Sequence, residues 1–311
     1  MSEQAFPVIC GPTASGKTDL AVELARALAD QGMPGEVISA DAYQVYRGLD
    51  IASAKPSAED RRGVPHHLID VVEPEASFTV AQWLGLAESA IADVRARGGV
   101  PIVAGGTHLY IKALLDGLFE GPGADEAVRA ELVAMDASER RAELERVDPE
   151  AAERIHTNDD RRTIRALEVF RLTGTPISEL QEQWDRSQPT RSDRRLVILE
   201  WGVPELNSRI NARVRRMVAQ GLVAETRALA DRLGPTAREA LGTKQVLRHL
   251  AGDWTLDEAI EQTKIETRRF AKNQRTWMRR LAATPGAQIL RPGEDSVLDM
   301  SQAVVRKTLA Q

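Results

Sequence analysis

The chain is short of cysteine, of long apolar runs and of any strong excess of charge, and each shortage removes a class of protein. A single cysteine, Cys10, among 311 residues can close neither an internal disulfide nor a thiolate zinc cage. Redox and zinc chemistry therefore lose their footing, and nothing marks an oxidising compartment. The longest uninterrupted apolar stretches, Pro7 to Cys10 and Leu196 to Leu199, fall far short of the roughly 20 residues a bilayer requires. No charged segment followed by an apolar one opens the chain, so the expected location is the cytoplasm, with no membrane as partner. Forty-one basic residues against forty-six acidic ones leave a net charge of −5. That balance argues against a nonspecific nucleic-acid coat and leaves room for a local basic surface.

What is present is the composition of a folded chain, 42% hydrophobic and 28% charged, with the length of roughly two domains at about 150 residues each. Short Val- and Ile-rich runs at Pro7 to Cys10, Val37 to Ser39, Val100 to Val103 and Leu196 to Leu199 read as buried strands. Between the first two, Leu20, Leu24 and Leu28 recur every fourth residue and predict a helix packed by one face. A further helical pattern over Val80 to Arg97 extends this βαβ beginning into an open parallel sheet covered on both faces.

From about Gly121 to Gln188 the strand signals stop, and Arg162 to Leu172 has clear helical spacing. Gly121-Pro122-Gly123 and Ser187-Gln188-Pro189 punctuate the two ends of that interval. The expected fold class is α/β: a P-loop NTPase-like parallel sheet covered by helices, with an inserted all-helical domain. The expected division is residues 1–120 and 191–311 for the core and 121–190 for the insertion. After the fourth strand the pattern is helical, broken at Gly234-Pro235 and Gly242.

Gly11-Pro12-Thr13-Ala14-Ser15-Gly16-Lys17-Thr18 is a glycine, four residues, then Gly-Lys-Thr, directly after one strand and before one helix. Glycines let backbone N–H groups turn inward around an anion, and the helix presents its positive dipole end to it. Lys17 would reach a terminal phosphate, and the Thr18 hydroxyl would hold Mg²⁺. Such a loop does not name its phosphate; ATP, and hence a small-molecule kinase, is the default on this motif alone.

Further strings change that default. Ser39-Ala40-Asp41-Ala42-Tyr43-Gln44 follows the second strand, and Ala54-Lys55-Pro56, Pro65-His66-His67-Leu68-Ile69-Asp70, Gly105-Gly106-Thr107-His108-Leu109-Tyr110 and Arg161-Arg162-Thr163-Ile164-Arg165 come after it. Together with the phosphate loop, and in this order, they resemble the tRNA dimethylallyltransferases, or tRNA isopentenyltransferases, from the loop to about Arg279. The resemblance implies transfer of a dimethylallyl group from dimethylallyl diphosphate to the N6 amine of the adenosine 3′ of certain anticodons. Residues Gly11 to Thr18 would then hold the donor's diphosphate, with Mg²⁺, and the tRNA anticodon stem-loop would be the partner of a monomeric enzyme. The chain departs from the family's usual wording at Ala52-Ser53, Thr243 and Asn273, the last two in segments expected to face RNA.

The chemistry needs a base, because the adenine amine lends its lone pair to the ring. Asp41, at a strand end facing the ligand crevice, is the candidate; the alternative is an outer Mg²⁺ ligand. The leaving diphosphate needs cations that hold it more tightly as charge builds. Arg209 and Arg213 share a helix face at i and i+4, and the resemblance places Arg213 against the diphosphate and Thr107 near the substrates.

An anticodon-loop base must leave its stack to reach a closed pocket. Asp41, Ala42, Tyr43 and Gln44 are candidates to meet it, with the Gln44 amide reading a base edge and Tyr43 stacking; Tyr46 is expected in the core. At about 100° per residue, Lys264, Arg268, Lys272, Arg275 and Arg279 fall in a stripe about 80° wide. Phe270, Trp277 and Leu281 are expected to dock that helix on the core while the stripe tracks phosphates. Arg161, Arg162 and Arg165 form a second expected RNA contact. His66 and His67 have no metal-ligand spacing and read as structural, and Cys10 as a small buried residue. A kinase would not need the Asp41 segment or the basic stripe. A GTPase-like adaptor would need a guanine-reading Asn-Lys-x-Asp, which is missing. An adenylate isopentenyltransferase would not need the long insertion.

Overall fold

The computed structural model describes residues 5–118, 121–187 and 193–309. The chain divides into two compact units, Met1–Leu115 with Ser192–Gln311, and Asp116–Arg191. At the second expected boundary, Gln188 and Pro189 lie outside the described residues.

The first unit is built on strands β1 (Phe6–Cys10), β2 (Gly35–Ala40), β3 (His66–His67), β4 (Val100–Gly105), β5 (Arg194–Leu199) and β6 (Gln288–Leu290). They form one sheet in the order β3-β2-β4-β1-β5-β6, and every pairing is parallel. Val8 of β1 lies opposite Val103 on one side and Leu196 on the other. Strand side chains alternate between faces, so each apolar run feeds two cores. Val8, Cys10, Ile38, Val103 and Ile198 pack with Trp83, Ile91, Ile111 and Leu114 on one face. Ile9, Val37, Ile102, Val197 and Leu199 pack with Leu20, Leu24 and Leu28 on the other.

The two faces are covered by helices that the sequence pattern foresees. Leu20, Leu24 and Leu28 of helix Lys17–Ala29 are fully buried, as their spacing requires. Helix Val80–Ala96 starts on a capping box between Thr79 and Gln82, which satisfies backbone donors left free in a first turn. Its Trp83 donates to the Ser39 carbonyl at 2.9 Å and stacks on Tyr110 at 4.6 Å.

Strands β3 and β6 and the docking face of helix Leu256–Leu281 depart from expectation. The two strands are two and three residues long, too short for any periodicity. The helix buries Ala259, Thr263, Thr267, Ala271, Gln274 and Met278, whereas Phe270 is 38% exposed. Small residues allow close packing against helices Val203–Ala219 and Thr243–Leu250. The hydroxyls of Thr263 and Thr267 are satisfied by carbonyls one turn back, at 2.7 and 2.6 Å. Trp277 and Leu281 do pack against the core.

The second unit contains helices Glu126–Ala134, Ala137–Val147, Pro149–Arg154, Asp160–Thr173 and Ile177–Ser187. Aspartates 125, 136, 148 and 159 cap the first four, each accepting N–H groups that the helix cannot satisfy itself. Leu132, Leu144, Leu167 and Val169 form its core. Buried Glu168 receives Arg129 Nε at 2.8 Å, Arg165 Nη1 at 2.6 Å and the Asp125 N–H at 2.8 Å. No helix among the described residues is long and apolar enough to cross a membrane.

Candidate active site

In an open parallel sheet the ligand crevice opens at the carboxyl ends of the strands where the winding changes direction. Here that point is β1, between β4 and β5, and the segment leaving it is Gly11 to Thr18. Gly16 takes φ 88°, a left-handed conformation open to glycine without penalty, and Ala14 shares that region at 63°. Two carbonyls of the loop are held by side chains from outside it. Arg209 Nε donates to Ala14 O at 2.7 Å and Trp201 Nε1 to Ser15 O at 2.9 Å, with the Arg209 guanidinium 4.6 Å from the Trp201 ring.

Two hydroxyls of the loop are unclaimed among the described residues. Ser15 Oγ is buried without a hydrogen-bond partner, and the hydroxyl of half-buried Thr18 has none among the described residues. Lys17 Nζ donates to Gly11 O at 2.9 Å and Pro12 O at 2.8 Å. Burial pushes its ammonium down to about 8, and Arg213 adds to the effect while Asp41 opposes it. Burial likewise lowers Arg213, with Asp41 again opposing. Lys17, Arg213 and Asp41 thus share one electrostatic neighbourhood: two cations against one carboxylate, an arrangement with positive charge to spare for an anion.

Asp41 follows β2. Its Oδ1 accepts the N–H groups of Tyr43 at 2.9 Å and Gln44 at 3.3 Å, an Asx turn that fixes the carboxylate and leaves Oδ2 without a hydrogen bond to the described residues. Thr107 follows β4, and its Oγ1 accepts the Ala42 N–H at 3.0 Å. The two strand ends are therefore stitched together beside the phosphate loop. Gln44 is engaged within the protein: Oε1 accepts Ser39 Oγ at 2.8 Å, and Nε2 lies 3.4 Å from Ala54 O. Tyr43 is half-buried and Tyr46 fully buried.

Several residues to which the sequence assigned no role shape the site. Lys55 Nζ sits between Asp50 at 2.5 Å, Asp70 at 2.6 Å and Tyr46 O at 2.8 Å, tying the segment after Asp41 to the one after β3. Glu225 accepts the N–H groups of Asp50, Ile51 and Ala52. Trp201 carries no sequence signal at all. Gln274 accepts the Thr13 N–H and donates to Gly106 O, although its string suggested RNA.

The expected RNA contacts are placed unevenly. Arg161, Arg162 and Lys272 are exposed, Arg162 beside Asp159 at 3.3 Å. Arg165 is turned inward, spent on Glu168 and on Pro122 O at 2.7 Å. In the stripe on helix Leu256–Leu281, Arg268 is held by Asn211 at 2.8 Å and Lys264 by Glu261 at 3.0 Å. Arg275 and Arg279 have no such partner among the described residues. Of the departures, Thr243 is buried and Asn273 exposed. His67 bonds Glu36 at 2.7 Å and His66 the Val64 carbonyl at 2.9 Å, both structural. Burial pushes the Cys10 thiol up to about 12, which removes it as a nucleophile.

Comparison with known proteins agrees with this geometry. A family model described as IPP transferase matches residues 44–281, and one described as isopentenyl transferase matches residues 5–72. The tRNA dimethylallyltransferase of Anaeromyxobacter dehalogenans is 48% identical over 88% of this chain and 91% of its own length. That of Geobacter metallireducens is 45% identical over 88% and 89%. Among solved structures, the tRNA isopentenylpyrophosphate transferase of Bacillus halodurans superposes with a TM-score of 0.71 at 36% identity, covering 98% of this chain and 97% of that one. A eukaryotic dimethylallyltransferase acting on tRNA reaches 0.78 at 27% identity, covering 99% and 77%. A phosphate loop on a parallel sheet, an acid and a threonine stitched beside it, and matches along most of the chain converge on one conclusion: the chain belongs to the tRNA dimethylallyltransferase family.

Proposed function

We propose that this protein transfers a dimethylallyl group from dimethylallyl diphosphate to the N6 amine of the adenosine 3′ of the anticodon in tRNA, releasing diphosphate. The observation that carries the reading is the geometry at the switch point of the sheet: the Lys17 ammonium lies inside the phosphate loop, and the Asp41 turn is bonded through Ala42 to Thr107, with Arg213 in the same electrostatic neighbourhood. Cations that bind a diphosphate and a carboxylate that takes a proton are what this substitution needs.

In the reaction the N6–C1 bond forms as the allylic C1–O bond breaks. The electron pair of that bond goes to the diphosphate, and the N6 proton goes to Asp41 Oδ2, which has no hydrogen-bond donor among the described residues. Lys17, Arg213, Ser15 Oγ and the N–H groups of Gly16, Lys17 and Thr18 at the start of the helix would hold the leaving group, and their pull strengthens as its charge grows. Thr107, fixed to Ala42, would support the acceptor side. The residues fit Mg²⁺: Thr18, at the start of helix Lys17–Ala29, offers a hydroxyl that no side chain among the described residues claims. Bound there, the ion would add positive charge on the diphosphate oxygens.

On the RNA side, Ala42 and Tyr43 would meet the extruded adenosine and its neighbours, Tyr43 by stacking, while Gln44, bonded to Ser39 and Ala54, would hold that segment in place. Arg161, Arg162 and Lys272 would meet phosphates, and Arg165 would keep its helix in place from inside. The test is incubation with Mg²⁺ and labelled dimethylallyl diphosphate in the presence of bulk tRNA or AMP. Label on tRNA alone is expected; label on AMP, or transfer of a γ-phosphate from ATP, overturns the reading.

A further inference from the structure

Gln274 has a place in the site that a phosphate-tracking helix does not explain. The side chain is 3% exposed, although its neighbours Asn273 and Lys272 face solvent. Oε1 accepts the Thr13 N–H at 2.9 Å, and Nε2 donates to Gly106 O at 2.8 Å. A backbone N–H can only donate and a carbonyl can only accept, so the amide has one orientation that serves both. One end grips the phosphate loop after β1. The other grips the turn after β4, one residue before Thr107, whose hydroxyl holds Ala42 and so the segment carrying Asp41.

Gly106 is shaped to this contact. A Cβ there would stand 2.5 Å from Gln274 Nε2, 3.0 Å from Gly11 O and 3.5 Å from Lys17 Nζ. The amide therefore lies against the same turn that the Lys17 ammonium approaches.

We infer that Gln274 is a positioning residue that sets the spacing between the diphosphate cradle and the Thr107–Asp41 segment, and with it the distance from donor carbon to acceptor amine. This deepens the prenyl-transfer reading and rests on it. A clip of this kind acts on geometry between two sites, each of which stays competent alone. Misplacement by about 1 Å can cost about a hundredfold in rate.

Two variants approach the clip from opposite sides. Gln274→Met keeps the length and removes both hydrogen bonds; Gly106→Ala keeps the amide and crowds both it and Gly11 O. For each, kcat at saturating donor and tRNA is measured beside the Kd for inorganic diphosphate, the Kd for tRNA and the melting temperature. The expected result is a fall in kcat of about a hundredfold, with both Kd values within threefold of wild type, taken as about the scatter of single-contact effects. Unchanged kcat in either folded variant overturns the inference. So does a loss of diphosphate affinity matching the loss of turnover, which would make Gln274 a prop of the loop alone. Should Gln274→Met not fold, Gly106→Ala decides through kcat and the Kd for tRNA, since its Cβ also meets the phosphate loop at Gly11 O. Wild-type protein that fails to prenylate tRNA in the same assay would sink the proposed function instead, and the two failures are thereby told apart.

Discussion

Donor binding should weaken as pH rises through about 8, and Lys17 should be the cause. Its ammonium is lowered to about 8 by burial first and by Arg213 second. A group with that value is about nine-tenths charged at pH 7 and about one-tenth charged at pH 9. The bound diphosphate stabilises the charged form, so the complex keeps its proton while the free protein loses it. Above about pH 8, binding must take up one proton, and affinity falls about tenfold between pH 7 and 9, or about 1.4 kcal/mol. The donor's phosphates are largely ionised above about pH 7 and contribute little to the trend. Calorimetric titration of dimethylallyl diphosphate without tRNA, in buffers of differing ionisation enthalpy, reads both the affinity and the proton uptake. Lys17→Arg, which cannot titrate in this range, should lose the slope whatever its absolute affinity. Affinity constant from pH 7 to 9, or the same slope in Lys17→Arg, would refute the reasoning.

Two other perturbations probe the scaffold. Arg209→Met removes a charged donor from Ala14 O and the cation over Trp201; the KM for the donor should rise about tenfold, the value of one charge-assisted hydrogen bond, with kcat less affected. Steady-state kinetics at saturating tRNA check this, and an unchanged KM removes the clamp from the account. In the helical unit, burial raises Glu168, but the hydrogen bonds from Arg129 and Arg165 outweigh it and leave the carboxyl below its usual range. Stability from this group is present above the ordinary carboxylate range and lost as pH falls through the lowered value. Glu168→Gln should cost about 2 kcal/mol at pH 7, seen in denaturant melts, with the deficit shrinking in acid; a deficit independent of pH speaks against the ion-pair origin.

The parts of this fold that could be read in advance are those in which residue type and backbone geometry are coupled. Gly11 to Thr18 is legible because glycines, lysine and threonine at fixed spacing follow from wrapping a chain around an anion. The four longer strands are legible because burial on both faces demands unbroken apolar runs. Strands β3 and β6 escape because so few residues carry no period. The seam of helix Leu256–Leu281 escapes for a different reason: Ala259, Thr263, Thr267 and Ala271 are buried by closeness of packing rather than by apolar bulk. Charge is equally ambiguous in one dimension. Arg165 and Arg161 look alike in sequence, yet the first is committed to Glu168 and the second faces water. Gln274 and Trp201 gain their importance only from what the chain brings within 3 Å of them.

The central claim is a division of labour, with Lys17 and its loop gripping the diphosphate and Asp41 receiving the proton. Single-turnover transfer by Asp41→Asn, measured beside its affinity for inorganic diphosphate and Mg²⁺, separates the two duties. The account predicts a transfer rate about 10²- to 10⁴-fold lower with diphosphate affinity unchanged. Loss of diphosphate binding in step with the rate would contradict it and assign Asp41 to the metal.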